Sequence, residues 1–154
     1  MDFLKNIHFG FSRNLPVILQ TENAECGLAC IAMIAHYYGY HTDLFSLRQK
    51  YPISQKGATL HSLMNICQQI KLNTRPLKLE LNELKELRTP CILHWDLNHF
   101  VVLKSVGVNK ITIIDPAIGL RVLELKEVSK HFTGIALEIW ADNDFEKKRR
   151  KNTN

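Results

Sequence analysis

The chain has 154 residues, of which 45% are hydrophobic and 23% charged, and a formal net charge of +5. These values are typical of one soluble globular domain that is large enough to bury a core. The longest apolar stretch, residues 27–35, is too short to cross a bilayer. The first residues lack the apolar run of a signal peptide, so we expect a cytoplasmic location.

Most of the positive charge lies in a short tail. Residues 146–151, EKKRRK, carry five positive charges and one negative charge. The rest of the chain is nearly balanced and has no basic stripe interleaved with aromatic residues, which argues against nucleic-acid binding. We therefore predict one domain over residues 1–145. Residues 146–154 are predicted to be a disordered tail or a linker towards a membrane domain.

Helical patterns dominate the N-terminal half. A loosely ordered lead-in comes first, with a candidate short strand at residues 16–19. Three helices follow, each opened by capping residues and continued by apolar residues at helical spacing. They are predicted over residues 26–38, over residues 43–51 and from Thr59 onwards.

The pattern changes to extended structure in the C-terminal half. Runs of β-branched and apolar residues separated by turn residues predict strands. These strands are expected at residues 74–79, 91–95, 100–106, 111–114, 120–125 and 135–140, with short helices at residues 81–87 and 127–132. Helices followed by antiparallel strands indicate an α+β fold, with an N-terminal helical half packed on an antiparallel β-sheet half.

Cys26 lies at the predicted start of the first helix. Unpaired backbone N–H groups and the helix dipole at such a position favour negative charge, and therefore the thiolate. The simpler interpretation is a small buried apolar residue. Position and the flanking glycine favour a nucleophile. Cys30, Cys67 and Cys91 lie inside apolar patterns and are predicted to be reduced core residues.

Two polar residues at strand ends are candidate partners for this thiol. His99 opens one predicted strand and Asp115 ends the next, although each also fits a simple turn residue. Brought together near Cys26, they would form a Cys–His–Asp constellation, in the chain order of papain-like enzymes. Gln20, six residues before the cysteine, could donate its amide to a developing oxyanion beside the Cys26 backbone N–H.

Four segments of the chain together resemble a known family. They are QTENAECGLACIAMIAHYYG, KGATLHSLMNICQQIKL, PCILHWDLNHFVVLKSV and IIDPAIGLRVL. They resemble the double-glycine leader peptidases, which are the N-terminal cysteine peptidase domains of bacteriocin-exporting ABC transporters. The exporters of colicin V-type microcins are the most similar group, and the resemblance extends from about residue 15 to residue 140.

The resemblance implies a papain-like cysteine peptidase and a role for each candidate residue. Cys26 would be the nucleophile, and His99 the general base and acid. Asp115 would orient the imidazole, and Gln20 would line the oxyanion hole.

The resemblance also implies a substrate and partners. The substrate would be the leader peptide of a bacteriocin or microcin precursor, cleaved after a Gly-Gly or Gly-Ala pair. Cleavage would be coupled to export by the transmembrane and nucleotide-binding parts of an ABC exporter, at the cytoplasmic face of the inner membrane. No cofactor or metal is implied for this domain, because ATP would bind a separate domain.

The chain departs from the family pattern in two ways. Many members carry Asp immediately before the cysteine, where this chain has Glu25, and we expect this difference to be tolerated. The chain also contains no GxxxxGK[ST] nucleotide-binding loop. We therefore expect either an excised domain or a stand-alone peptidase.

Two other functions are compatible with parts of the sequence. One is an inactive peptidase-like domain that only docks cargo for a transporter, but all four candidate catalytic residues are present. The other is a metal site built from Cys26, Cys30 and His36 or His99. No second Cys/His pair at short spacing follows, which argues against that site.

Overall fold

The structure is a computed structural model that describes residues 13–40 and 42–142. Its helices are α1 (Cys26–Tyr37), α2 (Leu44–Lys50), α3 (Leu60–Gln69) and α4 (Leu125–Val128). Its strands are β1 (Leu72–Lys78), β2 (Cys91–Trp95), β3 (His99–Val106), β4 (Lys110–Asp115), β5 (Gly119–Glu124) and β6 (Phe132–Ala141). Two 3₁₀ turns cover Asn23–Glu25 and Leu81–Glu86. The tail predicted at residues 146–154 lies outside the described residues.

The six strands form one antiparallel sheet in the order β1-β6-β2-β3-β4-β5. Helix α1 packs on β3 and contacts both α2 and α3. The first three helices therefore lie together against the sheet, and the predicted α+β arrangement is confirmed.

Two apolar layers stabilise this arrangement. The layer between helices and sheet includes Ile31, Val102 and Leu137, all fully buried. The other layer includes Trp95 and Leu103 on the opposite face of the sheet. Alternate residues of a strand point to opposite faces, so β2 and β3 contribute to both layers.

Local capping signals set the starts of α2 and α3. The Asp43 carboxylate accepts a hydrogen bond from the Ser46 backbone N–H at 2.7 Å. The Thr59 hydroxyl accepts one from the Ser62 N–H at 3.0 Å. Each bond satisfies a backbone donor that the helix itself leaves unpaired, so α2 begins directly after Asp43 and α3 directly after Thr59.

Helix α1 begins at Cys26, as predicted, but differs from the expected helix in two respects. No side chain caps it, because the 3₁₀ turn leads directly into its first turn. Every residue from 26 to 35 is buried, not one face only, because the sheet and two helices surround it. A Cβ on Gly27 would lie 2.7 Å from Leu63 Cδ2, so the glycine permits the close approach of α1 and α3.

Two predicted elements are wrong. Residues 16–19 form no strand, since Pro16 lacks a backbone N–H and no described strand pairs with this segment. Leu15 and Ile18 pack against the core instead. The last short helix is Leu125–Val128, not residues 127–132, because β6 already begins at Phe132, which pairs with β2.

Among the described residues, no helix combines the length and the apolar character needed to span a membrane.

Candidate active site

Cys26 lies where α1 meets the start of β3. It is the first residue of α1, and only 3% of its surface is exposed. Its Sγ lies 3.9 Å from the carbonyl oxygen of Asn98, the last residue of the β2–β3 turn. His99, the first residue of β3, is the next residue along the chain. The packing of α1 on β3 thus brings the thiol and the histidine together, as the sequence predicted.

Asp115 reaches the same histidine from the neighbouring strand. β3 and β4 are antiparallel, so the first residue of one lies near the last residue of the other. His99 Nε2 lies 2.7 Å from Asp115 Oδ1. The same oxygen accepts a hydrogen bond from the Ala117 N–H at 2.9 Å, and the aspartate is only 4% exposed. The carboxylate is therefore held rigidly against one nitrogen of the ring.

The surroundings of His99 favour its protonated form. Burial by itself lowers the pKa of the imidazole, but the hydrogen bonds to Asp115 and Cys26 and their charges outweigh it and raise the pKa to about 9. Burial raises the pKa of Asp115, yet the His99 and Ala117 hydrogen bonds bring it below its usual value. An imidazolium–carboxylate pair is favoured at neutral pH. Because Nε2 faces Asp115, Nδ1 is left for the thiol.

Gln20 lies on the wall of the cleft that leads to this histidine. Its backbone N–H donates to the Pro116 carbonyl at 2.9 Å, which ties the segment before α1 to the end of β4. Its Oε1 is buried and has no hydrogen-bond partner among the described residues. The cleft has a volume of about 390 Å³ and is also lined by Ala24, His99 and Ala117. An amide in this position can donate to a substrate oxygen.

The other three cysteines have a different environment. All four cysteines are free, and Cys30, Cys67 and Cys91 are fully buried in apolar surroundings. Burial raises the pKa of the Cys67 thiol to about 12 and the pKa values of the Cys30 and Cys91 thiols well above their usual range. These three thiols remain protonated, and the prediction that they are core residues is confirmed.

The described residues contain no group of three or more His, Cys, Asp or Glu side chains placed to hold a metal ion. The alternative metal site, built from Cys26, Cys30 and a histidine, therefore has no geometric support. A larger open cleft of about 550 Å³, lined by residues such as Lys78 and Phe132, contains no cysteine.

Sequence reasoning missed several contacts in the site. The Ala117 N–H could have been found, because an aspartate in a turn commonly accepts a hydrogen bond from the backbone two residues later. The Asn98 carbonyl carries no sequence signal. Arg48, which pairs with Glu25 beside the cysteine, is 23 residues away in the chain and gave no signal either.

Several known proteins are similar to this chain in sequence or in fold. The Peptidase C39 family profile matches residues 14–144. The chain is 52% identical over 136 residues, 88% of its length, to the colicin V secretion/processing ATP-binding protein CvaB of Escherichia coli. It is 50% identical over 142 residues, 92% of its length, to the probable microcin-H47 secretion/processing ATP-binding protein MchF of the same species. It spans 20% of the length of each relative.

One solved structure is similar to this chain over most of its length. It is a double glycine motif protease from an AMS/PCAT transporter, in complex with the leader peptide. The two chains share 34% identity and superpose with a TM-score of 0.79, over 84% of this chain and 94% of that one. The resemblance inferred from the sequence is thereby confirmed. The chain belongs to the peptidase C39 family of cysteine peptidases.

Proposed function

We propose that this domain cleaves the leader peptide from a microcin or bacteriocin precursor, after a Gly-Gly or Gly-Ala pair. The observation that carries the proposal is the grouping of Cys26 and Asp115 around His99, which itself lines the cleft described above. The relatives support the choice of substrate. Two are secretion/processing proteins for colicin V and microcin H47, and the similar solved protease holds a leader peptide.

The proposed mechanism assigns one task to each of the four residues. The Cys26 thiolate attacks the carbonyl carbon of the second glycine, and His99 gives its proton to the leaving amine. A water molecule, deprotonated by His99, then hydrolyses the thioester and releases the leader. Asp115 holds the imidazole in the orientation that keeps Nδ1 towards the sulfur.

The negative oxygen that forms during both steps needs hydrogen-bond donors. The backbone N–H of Cys26, at the first position of α1, has no partner within the helix and is one donor. The Gln20 amide is the second donor, since Gln20 lines the same cleft as His99. Donors of this kind act most strongly when they are fixed before the reaction begins.

Replacing Gln20 with alanine should reduce kcat by about 10²–10³-fold, as expected for the loss of one oxyanion donor. The leader should bind almost as tightly as before, because Gln20 acts on the transition state. Steady-state kinetics with a leader peptide provide the measurement. A loss that appears entirely in KM would assign Gln20 to substrate binding and contradict the oxyanion role.

The burial of the nucleophile accounts for a double-glycine preference. Because only 3% of the Cys26 surface is exposed, the substrate peptide must approach the sulfur as nearly bare backbone. Glycine residues allow this approach because they have no side chain that would collide with the site. Such residues also provide almost no binding energy. We propose that affinity comes from apolar residues at helical spacing upstream in the leader, which dock elsewhere on the domain. That binding energy then positions the glycine carbonyl over the sulfur.

Three peptides test this specificity. We expect the full leader to have the highest kcat/KM, and a leader with its upstream apolar residues changed to alanine to lose both kcat and binding. A short peptide that spans only the cleavage site should be the poorest substrate. Mass spectrometry of the products measures the rates and locates the cut bond. Equal kcat/KM values for all three peptides would make this a local-sequence protease.

A matched control separates docking from access to the sulfur. A full leader with valine in place of either glycine should bind nearly as well as the natural sequence, because its upstream residues are unchanged. It should not be cleaved, because the valine side chain blocks the approach to Cys26. Rapid cleavage of the valine peptide would contradict the narrow access that we propose.

The position of the domain in a larger protein is also part of the proposal. We infer that residues 1–145 form the peptidase domain of an ABC exporter and that residues 146–154 lead towards its membrane-spanning part. The two Escherichia coli relatives are ATP-binding proteins about five times as long as the matched region, which supports this arrangement. ATP would bind a separate domain. The partners would be the leader peptide and the other parts of the exporter.

A further inference from the structure

Glu25, immediately before the proposed nucleophile, is a buried carboxylate that the mechanism above does not use. It is only 4% exposed. Its Oε1 accepts hydrogen bonds from the Thr21 N–H at 3.2 Å, the Thr21 hydroxyl at 2.7 Å and the Glu22 N–H at 3.3 Å. These groups belong to the two residues that directly follow Gln20. Residues 21 and 22, which connect Gln20 to the start of α1, are therefore hydrogen-bonded to the Glu25 carboxylate.

Arg48 of α2 holds this carboxylate from the other side. Its Nε pairs with Glu25 Oε2, and its Nη2 lies 3.2 Å from Oε1. The same Nη2 donates to the Thr21 hydroxyl at 2.8 Å. The Glu25 side chain is 6% exposed and the Arg48 side chain 32%, so desolvation and solvent screening leave this ion pair little net stability. Its hydrogen bonds instead join α2 to the turn before α1 and hold that turn in place.

Gln20 is therefore anchored on both sides. Its own N–H donates to the Pro116 carbonyl at 2.9 Å, next to Asp115. The residues that follow it are bound to Glu25, which is covalently joined to Cys26. We propose that Glu25, held by Arg48, is a positioning residue that fixes Gln20 relative to the Cys26 sulfur. This role rests on the proposed function, since it presupposes that Gln20 acts on a reacting carbonyl.

Glu25 acts in this role as a constant acceptor, not as an acid or base. The Arg48 hydrogen bond, assisted by Thr21, outweighs the opposing effect of burial and lowers the pKa of Glu25 to about 2. The carboxylate keeps its charge at every pH at which the peptidase is expected to work. Removing it should therefore lower kcat by the same factor at each pH, without shifting the pH profile.

Replacing Glu25 with alanine should lower kcat by about 10²-fold, because small misplacements of a catalytic group have effects of this size. KM should change little. Glu25→Asp retains a carboxylate and should restore most of the rate. Steady-state kinetics with a full leader peptide measure all three proteins. Wild-type kcat in a folded Glu25→Ala variant would overturn the positioning role.

Glu138 offers a matched control. It is also 4% exposed, pairs with Arg75 at 3.0 Å and accepts a hydrogen bond from the Arg88 N–H at 2.8 Å. It lies opposite Cys91, at the end of β2 away from the catalytic residues. Glu138→Ala should lose a comparable free energy of unfolding and keep a kcat near that of the wild type. An equal loss of kcat in both variants would mean that Glu25 acts through stability alone.

A double substitution tests whether Glu25 acts through Gln20. If it does, adding Gln20→Ala to Glu25→Ala should lower kcat much less than Gln20→Ala lowers it in the wild type. Fully multiplicative losses would overturn the proposal. Should Glu25→Ala not fold, Arg48→Gln replaces it, with a smaller loss of kcat expected and the same comparison with Gln20→Ala.

Hydrogen exchange distinguishes this role from the proposed function itself. The Thr21 and Glu22 amides should exchange faster in Glu25→Ala than in the wild type, and unchanged exchange would overturn the positioning role without any cleavage assay. Cleavage by the wild type with a normal kcat in Glu25→Ala would refute the positioning role alone. A wild-type protein that cleaves no leader peptide would refute the proposed function, and with it this role.

Discussion

Replacing Cys26 with alanine is expected to abolish cleavage of a double-glycine leader, with a loss in kcat on the order of 10⁶-fold, as for the nucleophile of other catalytic triads. Of the four cysteines, Cys26 is the first residue of α1, and its Sγ lies 3.9 Å from the carbonyl oxygen of Asn98, the residue before His99. Alanine at Cys30, Cys67 or Cys91 should leave kcat largely intact in the folded variants, because burial keeps these thiols protonated.

The four cysteine-to-alanine variants serve as controls for one another. They remove the same atom from four buried sites, so a loss of activity through destabilisation would appear in several of them. Alkylation with iodoacetamide, mapped by mass spectrometry, should be fastest at Cys26 in the native protein. Full activity in Cys26→Ala, or an inactive but folded Cys67→Ala, would contradict the assignment of the nucleophile.

Replacing His99 with alanine should be almost as damaging, with a loss in kcat of about 10⁶-fold, because in the proposed mechanism the histidine itself moves the proton. Asp115→Asn should cost less, about 10⁴-fold, since an orienting group only fixes the tautomer and stabilises the imidazolium. Steady-state or single-turnover kinetics on the folded variants measure both. Equal and complete loss in both would mean that Asp115 has a more direct role.

The pH profile gives a second readout of the same pair. The wild type should lose activity as the pH rises through about 9, where His99 gives up its proton. Asp115→Asn removes a hydrogen bond and a charge that raise this pKa, so its basic limb should move to lower pH. An unshifted basic limb in Asp115→Asn would contradict the pairing of His99 with Asp115.

The raised pKa of His99 also affects the stability of the fold. Its contribution to the free energy of unfolding is fully present below pH 6.5 and is lost as the pH rises through about 9.

Elements with strong local signals could be predicted from the sequence. The helix starts near Asp43 and Thr59 and the apolar runs at residues 91–95 and 111–114 are local features, and the structure has a helix or a strand at each of them. Residues 16–19 carry an apolar run but have no described strand to pair with. Pairing with a distant strand decides such cases, and it also moved the start of β6 to Phe132.

In the candidate site too, some residues could be predicted from local sequence and others depend on tertiary packing. Cys26, His99 and Asp115 could be proposed because each lies at the end of an element whose type was readable, and the structure brings the three together. The Glu25–Arg48 pair could not, because it depends on how α2 packs beside the start of α1. The anchor of Gln20 on Pro116 likewise joins two segments that are distant in the chain and depends on the finished fold.

Covalent trapping tests the central claim most directly. A full leader peptide that ends in Gly-Gly-chloromethyl ketone places an electrophile where the scissile carbonyl would lie. After incubation with the native protein, intact mass and peptide mapping should reveal one leader per chain, attached to Cys26. A leader with valine in place of the first glycine should label far more slowly. Attachment to Cys30, Cys67 or Cys91, or no attachment at all, would contradict the account.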